Sequence, residues 1–190
     1  MTRRDIPNAL CILRIALVAP LLWCIVTRQF VLATLLFGFA GFTDILDGYL
    51  ARRFDWHSSL GALLDPIADK VLTIGVFVSL IVVGLIPRWL AAMVIGRDVV
   101  IMLGGLLYRA LIGPFEAGAR FAGKFNTATM LLFVLLLLAR AAVGFPGEQV
   151  VMTIGAVLVA STLVSGLDYI REWGGQALAH RRRQKEATEL

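Results

Sequence analysis

The chain contains two acidic stretches set in apolar sequence: Asp44-Ile-Leu-Asp47-Gly48-Tyr-Leu-Ala51-Arg52 and Gly61-Ala-Leu-Leu-Asp65-Pro-Ile-Ala-Asp69-Lys70. Ionised carboxylates are costly in or near a bilayer, so they normally mark a functional site with a charged partner. Asp44 and Asp47 are spaced i, i+3, and Asp65 and Asp69 are spaced i, i+4, which places each pair on one face of a helix. The two stretches therefore predict a helical hairpin that brings four carboxylates together.

The rest of the chain is apolar enough to place this hairpin in a membrane. The 190 residues are 59% hydrophobic and have a mean hydropathy of +0.84, well above ordinary globular usage. Six apolar stretches approach or exceed the roughly 20 residues that a helix needs to cross the hydrocarbon core. They are residues 9–27, 30–50, 61–86, 88–112, 123–145 and 147–171. The sequence predicts an all-α integral membrane protein with six transmembrane helices, in a membrane domain over residues 1–172, followed by a basic cytoplasmic tail over residues 173–190.

The basic residues predict the orientation of this domain. If both termini are cytoplasmic, that side holds most of the arginine and lysine, whereas the opposite side holds only Arg28, Arg88 and Arg140. This distribution follows the positive-inside rule, so the N and C termini and the loop 52–60 are predicted to face the cytoplasm. Juxtamembrane basic residues suit anionic lipid headgroups. The net charge of +5 therefore predicts membrane lipids, and no nucleic acid, as partners.

The spacing of the four carboxylates predicts a metal site. With residues 53–60 as the turn, Asp44 lies level with Asp69, and Asp47 with Asp65. At ~1.5 Å per residue, all four then lie within roughly 12 Å of the cytoplasmic helix ends. Carboxylates this close need compensating positive charge. Oxygen ligands without nearby His or Cys favour Mg²⁺ or Mn²⁺ over zinc, and two such divalent cations suit a substrate that carries phosphates.

The residues around the aspartates suit a pyrophosphate ligand. Gly48 and Gly61 remove side-chain bulk where a ligand would approach the backbone. Ala51 keeps the same helix face small, four residues after Asp47. The guanidinium of Arg52 has the fork geometry that binds phosphate oxygens.

The pattern Asp44-x2-Asp47-Gly48-x2-Ala51-Arg52-x8-Gly61-x3-Asp65-x3-Asp69 resembles, in every fixed position, the signature of the CDP-alcohol phosphatidyltransferase family. The resemblance extends to the chain length, the six spans and the opening Pro7-Asn8-Ala-Leu-Cys11-Ile-Leu-Arg14, where Cys11 replaces a Thr that relatives commonly have. It implies transfer of a phosphatidyl group from CDP-diacylglycerol to an acceptor hydroxyl, with release of CMP. It also implies a homodimer, and we expect the chain in a bacterial inner membrane with its active site facing the cytoplasm.

The resemblance also implies roles for the motif residues. The metal ligands would be Asp44, Asp47, Asp65 and Asp69. Asp69 would in addition be the catalytic base toward the acceptor hydroxyl. The cytidine diphosphate pocket would be shaped by Gly48, Ala51, Arg52 and Gly61. Attack on a pyrophosphate needs metals, a base and a cationic clamp, so the chemistry read from the residues agrees.

The acceptor is predicted from Arg97, Lys124 and Asn126. Family members that use glycerol 3-phosphate typically show Arg-Glu in the fourth span and Gly-Lys-x-Lys-Thr opening the fifth. Here those places read Arg97-Asp98 and Gly123-Lys124-Phe125-Asn126-Thr127, so a lysine that could hold the acceptor's phosphate is missing. The segment looks closer to the eukaryotic-type cardiolipin synthases of the family, whose acceptor is phosphatidylglycerol. Phosphatidylglycerol is the favoured acceptor, with glycerol 3-phosphate as the alternative.

Other interpretations of the same residues stay open at this point. Arg97 and Asp98 could form an intramembrane ion pair that fixes helix packing, and Lys124 could extend from a span end toward the lipid headgroups. An acidic ring could also select ions in a divalent-cation channel or transporter. Arg52 favours the enzyme, because a cation path does not need an arginine beside it. A catalytically silent scaffold would predict a broken aspartate set, whereas all four aspartates are present.

Overall fold

A computed structural model describes the backbone of residues 5–54, 59–111 and 121–188, and the side chains of residues 16–43, 69–105, 121–169 and 171. The described residues form six α-helices and include no strand. The helices are α1 Asp5–Val26, α2 Phe30–Phe54, α3 Ser59–Val82, α4 Arg88–Leu111, α5 Phe121–Val143 and α6 Glu148–Thr188. The prediction of an all-α protein with six helices is confirmed.

Short turns join α1 to α2, α3 to α4 and α5 to α6. Arg28, Gly84 and Gly144 lie in these three turns with positive φ angles of 60°, 78° and 74°. Glycine adopts this backbone conformation without the steric penalty of a Cβ atom. Turns this short make the two helices of each pair antiparallel.

The helices pack in a cyclic order that differs from their order in the chain. α1 contacts α2, α2 contacts α5, α5 contacts α6, α6 contacts α4, α4 contacts α3, and α3 returns to α1. Buried apolar side chains fill the interior of this ring, among them Leu21, Phe77, Leu138 and Leu158. The order places α4 between α3 and α6, so residues of three helices that are far apart in the sequence meet around α4.

The outer faces of the helices are apolar. Each helix has at least one exposed large apolar side chain, for example Trp23, Leu35, Ile74, Val99, Leu132 and Leu163. Apolar surface on every side is unusual for a protein in water and is typical of helices in lipid. Within the described residues, Phe121–Val143 and Glu148–Tyr169 are long and apolar enough to cross a membrane, and Ala16–Val26 and Phe30–Thr43 are shorter apolar helical stretches.

α6 is longer than a membrane span. Its 41 residues extend for about 60 Å at ~1.5 Å per residue, twice the ~30 Å thickness of a hydrocarbon core. The helical backbone continues without a break through residues 173–188, which belong to the segment 173–190 predicted as a basic cytoplasmic tail.

Candidate functional site

The two acidic stretches lie in two successive helices. The backbone places Asp44, Asp47, Gly48, Ala51 and Arg52 in α2, and Gly61, Asp65 and Asp69 in α3. Except for Asp69, these side chains lie outside the residues that the structure describes. The metal site and the cytidine diphosphate pocket therefore stay predictions, and no group of three metal-ligating side chains occurs within the described ranges. Asp69 itself is half-buried and has an interaction partner.

Lys70, the residue after Asp69, connects α3 to α4. Its Nζ atom pairs with Oδ2 of Asp98, and Oδ1 of Asp98 accepts a hydrogen bond of 2.8 Å from Nη1 of Arg97. Arg97 and Asp98 are each only 11% exposed. Buried charges are tolerated when they are paired and hydrogen-bonded, and here one carboxylate serves two cations. We name these three residues the Lys70–Asp98–Arg97 cluster. The intramembrane ion pair that the sequence left open between Arg97 and Asp98 is present.

Arg97 is held from a second side by α6. Its Nη2 atom donates a hydrogen bond of 2.5 Å to Oγ of Ser165, and its guanidinium carbon lies 5.8 Å from the centre of the Tyr169 ring, within cation–π range. Its Nε atom is buried, with no hydrogen-bond partner among the described residues. A Cβ atom added to Gly123 of α5 would lie 3.3 Å from Oη of Tyr169 and 3.5 Å from Nη2 of Arg97. α5 therefore begins close against the guanidinium.

A cavity of about 820 Å³ opens beside Arg97. Most of its wall is apolar and comes from α2 and α5, including Phe37 and Leu135, whereas Arg97, Lys124 and Tyr169 also line it. Its volume lies within the range of about 300–1,000 Å³ that is usual for ligand sites. Apolar walls that include two cations suit a ligand with a long apolar part and an anionic head.

Asn126 lies in a different environment from Arg97 and Lys124. It is 2% exposed, and its Oδ1 atom accepts hydrogen bonds of 2.9 Å from the hydroxyls of Ser161 and Thr162 on α6. Among the three predicted acceptor residues, the structure thus brings Arg97 and Lys124 to the cavity and places Asn126 in the interface between α5 and α6. Its role toward an acceptor stays a prediction.

The sequence interpretation did not include Ser165 and Tyr169. These two residues are spaced i, i+4, so they lie on the same face of α6, and both contact Arg97. The spacing was a usable signal, but nothing in the sequence indicated that this face would meet α4.

Six helices with apolar outer faces are typical of a membrane protein, and the cavity beside Arg97 has two cations in its wall. The chain belongs to the CDP-alcohol phosphatidyltransferase family, whose sequence profile it matches over residues 4–164. The match includes every motif aspartate and the three predicted acceptor residues.

The names of individual relatives give two different activities. The chain is 34% identical over 180 residues to human cardiolipin synthase (CMP-forming), covering 86% of the chain and 60% of the human protein. It is 35% identical over 178 residues to the CDP-diacylglycerol–glycerol-3-phosphate 3-phosphatidyltransferase of Pseudomonas fluorescens, covering 88% of the chain and 89% of that protein. The enzyme of the same name from Bacillus subtilis (strain 168) is 30% identical over 190 residues, covering 89% of the chain and 95% of that protein. The chain spans about three-fifths of the human relative's length, and identity alone does not separate the two activities.

Proposed function

We propose that the chain transfers a phosphatidyl group from CDP-diacylglycerol to an acceptor alcohol and releases CMP. The observation that carries the proposal is the family match over residues 4–164, combined with a complete set of motif residues. In the reaction, the acceptor oxygen bonds to the phosphorus that carries diacylglycerol, and the P–O bond to CMP breaks. Asp69 accepts the proton of the acceptor hydroxyl, which makes that oxygen a better nucleophile.

The donor set fits the divalent metals that the family is known to use. The proposed ligands are Asp44, Asp47, Asp65 and Asp69. Carboxylate oxygens are the ligands that Mg²⁺ and Mn²⁺ prefer, and bound metal ions would neutralise charge on the pyrophosphate as CMP leaves. Arg52 would hold the pyrophosphate through its guanidinium fork, while Gly48, Ala51 and Gly61 leave room for the cytidine. Together these residues bind and orient the donor.

The favoured acceptor is phosphatidylglycerol, which makes the product cardiolipin. The cavity supports this choice, because it combines apolar walls with the cations of Arg97 and Lys124, and phosphatidylglycerol combines acyl chains with a phosphate. Similarity to human cardiolipin synthase supports it as well. Asn126 is the third proposed acceptor residue.

Glycerol 3-phosphate is the second candidate acceptor. It is favoured by the similarity to the Pseudomonas fluorescens enzyme, of which the chain covers 89%. This acceptor has no acyl chain, so it would use the cations of the cavity and leave its apolar walls to other lipid chains.

The two candidates are separated by identifying the lipid product. The purified protein is incubated with CDP-diacylglycerol, Mg²⁺ or Mn²⁺, and either phosphatidylglycerol or glycerol 3-phosphate, and the lipids are analysed by mass spectrometry. We expect cardiolipin with the first acceptor. Phosphatidylglycerol phosphate from the second acceptor alone would establish the alternative. Absence of CMP release with both, and also with inositol phosphate and serine, would remove the enzyme proposal.

The oligomeric state, the membrane and the orientation of the protein are also part of the proposal. We propose that the chain forms a homodimer in a bacterial inner membrane, with the active site at the cytoplasmic face. Light scattering of the detergent-solubilised protein measures the mass of the assembly, and a monomer mass would overturn the dimer.

A further inference from the structure

We infer that Asp98 is a positioning residue for the proposed transfer: one carboxylate sets both the direction of Asp69 on α3 and the orientation of Arg97 at the cavity. The inference rests on the function proposed above. It starts from the Lys70–Asp98–Arg97 cluster, in which the two oxygens of one carboxylate bind two different cations.

The first arm of the cluster fixes the rotation of α3. Lys70 and Asp98 are 28 residues apart in the chain and connect two helices. Successive residues of an α-helix point about 100° apart, because there are 3.6 residues per turn. A contact that holds Lys70 against α4 therefore also fixes the direction in which the side chain of Asp69 points from α3. Asp69 is the proposed base, so this direction decides how well it reaches the acceptor hydroxyl.

The second arm fixes the guanidinium of Arg97. This group is planar and donates through a rigid fork. Nη1 is bound to Asp98, and Nη2 is bound to Ser165 on α6, so two anchors from different helices set its plane. Without Asp98, the guanidinium would keep Ser165 and the Tyr169 ring as its remaining contacts among those described above, and it could turn away from the cavity.

A cluster that only stabilises packing would behave differently from one that positions reacting groups. Weaker packing lowers the melting temperature and the fraction of active protein, but leaves the KM of the folded molecules unchanged. Loss of positioning, in contrast, changes kcat or KM individually, depending on which group is displaced. Disturbing the α3 arm lowers kcat, because the base is displaced, whereas disturbing the α6 anchor raises the KM for the acceptor.

Four variants test this separation in the full-length protein. Lys70→Met should lower kcat by roughly ten- to a hundredfold, the range expected for a misplaced reacting group, with the acceptor KM unchanged. Ser165→Ala should raise the acceptor KM with little change in kcat. Asp98→Asn should lower kcat and also raise the acceptor KM. Asp98→Glu, which keeps the carboxylate, should show smaller changes in both constants. The control is Glu148→Gln, which breaks the ion pair with Arg140 at 3.0 Å at the opposite end of the bundle and should change neither constant.

Metal affinity gives a readout that does not depend on turnover. Mn²⁺ binding, measured by electron paramagnetic resonance, should weaken in Lys70→Met and Asp98→Asn, because both displace Asp69, and should be unchanged in Ser165→Ala and Glu148→Gln. If the wild-type protein bound Mn²⁺ but released no CMP, and the variants changed Mn²⁺ affinity as expected, the proposed function would be wrong. The role of Asp98 in positioning Asp69 would still be supported. Unchanged Mn²⁺ affinity in all variants, with kcat losses that follow melting temperature alone, would overturn the inference. A wild-type protein that neither binds Mn²⁺ nor releases CMP would overturn both.

Discussion

At the scale of single residues, Asp69 links the motif to the part of the site that the structure describes. It belongs to the acidic pattern of α2 and α3, and the next residue, Lys70, is bound to Asp98 of α4. Asp69 is therefore the proposed base, and the adjacent Lys70 makes the contact that we infer to orient it.

Replacing Asp69 by Asn should remove turnover while leaving nucleotide binding largely intact. General bases contribute about 10²–10⁴-fold to rate, and Asp69 is also a proposed metal ligand, so kcat should fall by at least about a hundredfold. The measurements are CMP release and the affinity for CMP. Activity close to that of the wild-type protein would show that the base assignment is wrong. Glu148→Gln, on the same assay, controls for general effects of removing a carboxylate.

Gly123 tests the close approach of α5 to Arg97. A Cβ atom at this position would meet Tyr169 at 3.3 Å and Arg97 at 3.5 Å, and a larger side chain would push into both. Gly123→Val should therefore raise the acceptor KM by roughly tenfold, as expected when a binding group is displaced, with a smaller effect on the KM for CDP-diacylglycerol. Gly105→Val is the matched control, because a Cβ atom there meets no described atom within 4 Å. Equal acceptor KM values for the two variants would contradict the prediction.

At the scale of helices, the interface between α5 and α6 is joined by a buried polar contact. The side-chain oxygen of Asn126 accepts hydrogen bonds from Ser161 and Thr162, and these hydroxyls lie 35 and 36 residues away in the chain. Interhelical hydrogen bonds in membranes stabilise by about 0.6 kcal/mol each on average. Such a contact specifies which faces of the two helices meet.

Asn126→Ala should lower the free energy of unfolding by about 1–2 kcal/mol, since two interhelical hydrogen bonds are lost. The measurement is the thermal or denaturant-induced unfolding of the protein in detergent. Thr153→Ala is the control, because among the described residues the Thr153 hydroxyl donates to the backbone of its own helix, at Gln149. A rise in acceptor KM without any loss of stability would instead favour the predicted acceptor role of Asn126.

At the scale of the whole molecule, the proposed orientation places the turn between α5 and α6 on the side opposite the active site. Gln149 and Arg171 are both exposed and lie toward the two ends of the span in α6, so they report on opposite faces of the membrane. The prediction follows from the positive-inside distribution of basic residues.

Single-cysteine variants test this orientation. Cys11 and Cys24 are first replaced by Ser, and Gln149→Cys or Arg171→Cys is then introduced. In intact bacterial cells, a membrane-impermeant maleimide should label the cysteine at 149 and leave the one at 171 unlabelled. After lysis, both should react, which controls for reactivity. The reverse pattern in intact cells would invert the proposed topology.

The sequence determined the six helices and the chemical content of the site. Both follow from local patterns: apolar stretches of sufficient length form helices, and the spacing of the aspartates within each helix is fixed by 3.6 residues per turn. The same local information led to the family resemblance, which the match over residues 4–164 confirmed. The family resemblance also led to Arg97, Lys124 and Asn126 as predicted acceptor residues.

The tertiary structure decided which of these residues meet. The cyclic order of the helices, the contact of Lys70 with Asp98, and the bond from Arg97 to Ser165, 68 residues away, all depend on how whole helix faces pack. The hydrogen bonds of Asn126 to Ser161 and Thr162 on α6 were likewise not indicated by the sequence, and its acceptor role stays a prediction. Helix formation depends on neighbours a few residues apart, but the choice between partners on different helices is made by the packing of the complete bundle.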